Sequence, residues 1–109
     1  MLRIKAVLIL KRNATRDYLD FAALADSLNK EELCSAMVKF DTFYPQKNGE
    51  SALQQLEVQL STPLPYDLEL TNLAEYKNLK FPWTDWVHVQ KKCKQIAIII
   101  FDECSEIVL

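Results

Sequence analysis

The chain has 109 residues, which suits one domain able to bury roughly two thirds of the surface its unfolded form exposes. Half of it is hydrophobic and about a quarter is charged, an ordinary globular composition, and a single glycine leaves little material for an all-β barrel with many tight hairpins. The net charge of −2 counts against a nucleic-acid binder, whose affinity rests on a basic excess that neutralises phosphates.

Residues 3–11 open with the nearly continuous apolar run Ile4, Ala6, Val7, Leu8, Ile9, Leu10. A run like this predicts a central strand covered on both faces. It is too short for a secretory core, and Lys11-Arg12 follows it with no small-residue cleavage site. In 16–28, Tyr18, Phe21, Ala22, Ala25 and Leu28 recur at helical spacing, with Asn13 or Thr15 as the cap, early acidic residues Asp17 and Asp20, and Asn29 as the stop. The alternation of Val38, Phe40, Thr42 and Tyr44 predicts a strand in 33–44, and 45–50 reads as a loop.

Residues 51–61 fit a helix capped by Ser51, although Leu56, Val58 and Leu60 would also suit a strand face. After Pro63 and Pro65, residues 66–70 make a short strand. Asn72 and Glu75 start a short helix to Leu79 that Pro82 breaks. Thr84 then caps a helix over 85–94 with Trp86, Val89 and Cys93 on one face; a strand over 86–90 is the alternative. The run 95–101 is the second buried strand, 102–106 a turn, and 107–109 a short returning strand. The expected fold is α/β (α+β): a single domain over 1–109 with one mixed β-sheet, its two buried hydrophobic strands at about 3–11 and 95–101 covered by helices.

The segment QIAIIIFDEC, apolar residues ending in Asp102 and Glu103, has the outline of a nucleotide-hydrolase strand. The chemistry fails for want of a phosphate cradle: the only glycine, Gly49, precedes no Gly-Lys-Ser/Thr motif. Asp85, His88, Asp102 and Glu103, with Glu106, form the candidate set for a small enzyme or a ligand- or metal-binding domain. Only Asp85 and His88 are near each other in sequence, and a divalent site needs at least three converging ligands. Cys34, Cys93 and Cys104 are an odd set without a Cys-x-x-Cys motif, which reads as free thiols in a reducing cytoplasm. Neither cofactor nor metal is expected, and no segment has the length of a membrane span.

What remains is surface. Tyr76, Phe81 and Trp83 cluster around Pro82, while Glu31 and Glu32 belong to the acidic stretch 17–32. Aromatic anchors beside steering charges have the make-up of a protein interface. The expected function is therefore a non-enzymatic, cytoplasmic protein-binding module, of the kind that inhibitors, immunity proteins and antitoxins represent, with Phe81, Trp83, Tyr76, Glu31 and Glu32 as the interface. A homo-oligomer whose aromatics meet their symmetry mates is the remaining possibility.

Overall fold

A computed structural model describes residues 2–68 and 83–104. In chain order these form α1 (Leu2–Arg12), α2 (Thr15–Asp26), α3 (Lys30–Val38), the single turn α4 (Phe40–Phe43), α5 (Ala52–Ser61) and α6 (Trp86–Ile99), which continues as a π-helix, Ile100–Cys104. There is no strand among the described residues, so the expected mixed sheet is overturned. The turn at 66–68 replaces the start of the strand predicted at 66–70. The short helix predicted at 72–79 and the strand at 107–109 lie outside the described residues.

Each mistaken strand has the same physical cause. A short apolar run suits a strand and a buried helix alike, and burial decides between them. In α1 the buried residues are Leu2, Ala6 and Ile9, one helical face; Ile4, inside the run, is 51% exposed. In 33–44 the buried residues are Leu33, Cys34, Met37 and Phe40, again at helical spacing, while Thr42 is exposed and Tyr44 only partly covered. In the last run Cys93, Ile96, Ala97, Ile100 and Cys104 are buried, whereas Ile98 and Phe101 point outward at 60% and 68% exposure. No turn occurs at Asp102; the helix widens into its π-helical end instead.

The helices predicted from residue spacing over 16–28, 51–61 and 85–94 are present, with the Ser51 cap as expected and the other caps shifted. Helix α2 buries Tyr18, Phe21, Ala22 and Ala25 as expected. Asn29 accepts from the Glu32 amide at 2.8 Å, so it starts α3 rather than stopping α2. Ser51 caps α5 by accepting from the Gln54 amide at 3.2 Å. Asp85, not Thr84, caps α6, accepting from the Val87 amide at 3.1 Å.

Packing follows from these faces. Helix α6 lies against α2 and α5, and α1 also meets α2 and α5. Tyr18 and Phe21 of α2 fill the middle, and Trp86 meets Tyr18 edge-on at 6.2 Å. The corner after α1 is a polar knot. Asn13 takes the left-handed conformation at φ 51°, the role expected of Asn in a chain this poor in glycine. Its side-chain amide donates to the Leu64 carbonyl at 3.0 Å, and its side-chain oxygen accepts from the Tyr18 hydroxyl and, at 3.4 Å, from Gln59. Buried Asp17 pairs with Arg12 and accepts from the Ala14 amide at 3.1 Å, while Asp67 accepts from both the amide and the hydroxyl of buried Thr15. No buried side-chain polar atom among the described residues lacks a partner, so this knot reads as architecture.

The cysteines depart furthest from expectation. Cys34 of α3 and Cys104 at the end of the π-helix form a disulfide across 70 residues of sequence, and both are buried. The bridge fastens the end of α6 to α3 and replaces the expected free thiols. Cys93 is free and buried, and burial pushes its thiol up to about 12, far from the thiolate needed for reactivity.

Candidate docking groove

The surplus apolar residues of α5 and α6 converge. Leu56 and Leu60 hold α5 on the core, which leaves Val58 on its outer side, 69% exposed. Ile96, Ala97 and Ile100 hold α6 and its extension down, which leaves Ile98 and Phe101 outside. Between them runs a groove of about 380 Å³, with Val58, Ala97, Ile98 and Phe101 along its apolar lining and Glu57, Asp102, Ser61 and Thr62 supplying the polar groups. No cation stands among its described lining residues; Lys94, one turn before Ile98, is not part of it. Partial burial and the nearby Asp41 raise the pKa of the Glu57 carboxyl. The bridge at Cys104 anchors the segment that carries Phe101 and Asp102.

A second depression, of about 370 Å³, lies between α1 and α4–α5 and is lined by Val7, Leu10, Lys11, Phe43, Tyr44 and Ala52 among others. Arg3 sits 4.5 Å above the Phe43 ring, a cation–π contact that occupies the most exposed aromatic there.

Of the described site residues predicted from sequence, Asp102 lines this groove, whereas Trp83, Glu31, Glu32, Asp85 and His88 do not. Trp83 is half-buried against the core and meets His88 edge-on at 5.0 Å. Tyr76 and Phe81 lie outside the described residues. Glu32 closes the α3 cap by accepting from the Asn29 amide at 3.1 Å, with exposed Glu31 beside it. The acidic stretch they belong to is largely paired within the fold: Asp17 with Arg12, Asp20 with Lys5 and Arg16, and Asp26 with Lys92 at 2.7 Å. Asp85 is a helix cap, and His88 stands one turn further on. Asp102 lies about 20 Å from His88 along the same helical rod, at 1.5 Å per residue. Asp85 and His88 therefore do not meet Asp102, and the described residues contain no group of three or more His, Cys, Asp or Glu placed to hold a metal. Glu103 continues the π-helix next to Asp102, and Glu106 lies outside the described residues.

The groove was invisible to sequence reasoning because Ile98 was counted as core, within the buried strand expected at 95–101. One signal was available. Positions 93, 96, 97, 100 and 104 already complete a helical face, so Ile98 and Phe101 are left over.

Among the described residues, fold and groove together define a small helical domain with an acidic-rimmed apolar cleft. No family model and no solved structure matches the chain. Among curated proteins it is similar to the probable transport protein MmpL11 of Mycobacterium bovis, 31% identical over 104 residues that make up 94% of this chain and 10% of that protein. The heme uptake protein MmpL11 of Mycobacterium tuberculosis gives the same figures. The mycolic acid-containing lipids exporter MmpL11 of Mycolicibacterium smegmatis is 26% identical over 106 residues, 95% of this chain and 11% of that protein. The chain thus spans about a tenth of the length of the curated relatives it matches. These relatives are transport proteins, so the expected kinship with inhibitors and immunity proteins is withdrawn. No helix of the described residues is long and apolar enough to cross a membrane.

Proposed function

We propose that the chain is a non-enzymatic protein-binding module, comparable to the tenth of the MmpL11 transport proteins that it matches, and that its α5–α6 groove is the docking surface. The observation that carries this reading is the convergence of Val58 and Ile98, each more than half exposed, on one cleft between two well-anchored helices. Similarity over nearly the whole chain to a tenth of much longer transport proteins supports a role as one part of an assembly. Haem uptake and lipid export are named for those whole proteins, and the groove is assigned to neither cargo. The Cys34–Cys104 bridge favours an oxidising compartment over the reducing cytoplasm expected from sequence.

A photoreactive residue placed at Ile98, and at Ile4 as an exposed control on α1, tests this in the native host with the full chain. The expected result is a discrete crosslinked protein from position 98 and none from position 4. Crosslinks from both positions alike, from neither, or only to a second copy of the chain would contradict it.

A further inference from the structure

We infer that the occupant of the α5–α6 groove is the apolar face of a cationic amphipathic helix from a protein partner. This rests on the docking reading above and adds the chemistry of what docks. The lining is apolar where Val58, Ala97 and Ile98 meet, and the charged groups among its described residues, Glu57 and Asp102, are both acidic. Two helices flanking an apolar cleft accept a third by its i, i+3, i+4, i+7 face, the helix-in-groove mode of recognition. Carboxylates at the edge then select lysines or arginines that flank the partner's apolar stripe and repel acidic helices.

The rest of the molecule is less suited. The cleft beside α1 carries Lys11, and its exposed ring already has Arg3 over it. The polar knot around Asn13 has its side-chain groups bonded internally. An anionic bilayer is a poor match for a groove with acidic edges on a chain of net charge −2.

The test uses the full oxidised chain and two synthetic helical peptides with the same leucines at i, i+3, i+4 and i+7. One is flanked by lysines, the other by glutamates. Fluorescence anisotropy reads binding to the wild type and to the double variant Glu57→Lys/Asp102→Lys, with circular dichroism confirming that the variant is folded. The lysine peptide should bind the wild type at least about tenfold more tightly, and the double variant should reverse that preference. Such a reversal cannot come from lost structure.

Equal binding of the two peptides would overturn the charge selection while leaving docking in the groove intact. Binding of neither would overturn the helix as occupant, and the crosslink from Ile98 then judges the docking reading separately. Binding to phosphatidylglycerol vesicles in place of the peptides, lost on Ile98→Gln, would overturn the protein partner in favour of a membrane surface.

Discussion

Helices α1 and α6 invite comparison because both are built on apolar runs that read as doubly covered strands. Both are one-faced helices with apolar residues left over on the outside. In α1 the leftover Ile4 stands apart from both clefts, and the helix stops at the left-handed Asn13 with its polar knot. In α6 the leftover Ile98 and Phe101 meet Val58 of a neighbouring helix, and the rod runs on through a π-helix to a disulfide. The same sequence pattern therefore leaves an exposed apolar residue outside the two described clefts in one case and exposed residues lining a cleft in the other. What separates them is the neighbour, not the run. Single exposed apolar residues need no explanation, whereas converging ones mark interaction surfaces.

The largest expected effect concerns how the two rods end. Breaking the covalent tie with Cys34→Ser should lower stability by about 3–4 kcal/mol, the range for a bridge that closes a long loop, measured by denaturant unfolding. Thiol counting checks the bridge directly. The denatured, unreduced chain should take one maleimide, at Cys93, and the reduced chain three. Three without reductant would remove the tie from the comparison.

Next in size is the contrast within α1. Ile9→Ala should cost about 3 kcal/mol and Ile4→Ala no more than about 0.5 kcal/mol, because only the first empties a buried site. Comparable large losses would restore a doubly covered strand. Asn13→Ala should follow at about 2 kcal/mol, since it places an unsuitable residue at positive φ and removes the bonds to Tyr18, Gln59 and Leu64.

The smallest effect belongs to the groove edge. The folded state holds the Glu57 proton more tightly than the unfolded chain does, so this group's contribution to stability falls as pH rises above its ordinary 4.5. Glu57→Gln should remove that decline and leave the chain slightly more stable at pH 7, by no more than about 0.5 kcal/mol at a position only partly buried. Melting temperatures of the two proteins across pH would show the curves beginning to separate as pH rises above 4.5.

How much of this was legible in the sequence differs from helix to helix. In α2, apolar and polar residues alternate at helical spacing, so Tyr18, Phe21, Ala22 and Ala25 declare their face. In α5 the Ser51 cap and the content of Leu, Gln and Ala decided against a strand. In α1, in α6 and in the stretch 33–44 that forms α3 and α4, β-branched and aromatic residues occupy outer positions as well as inner ones, which erases the contrast that periodicity needs. The disulfide left no mark, because three cysteines without a motif do not specify a pair. The groove left little more. It exists only because α5 and α6 lie side by side, a relation between segments that no local pattern records. Within the acidic stretch the partners could not be read either: Asp17, Asp20 and Asp26 pair with Arg12, Lys5, Arg16 and Lys92 in the fold, whereas Glu31 and Glu32 stay exposed.

The central claim is that Ile98 faces outward from a helix and binds there. Titrating the lysine-flanked peptide against Ile98→Gln, with the circular dichroism of the same sample recorded, tests both halves at once. The account predicts an unchanged helical spectrum and thermal midpoint, with affinity reduced about tenfold or more. A variant that unfolds would return residue 98 to the core, and a folded variant that binds like the wild type would take the groove away from docking.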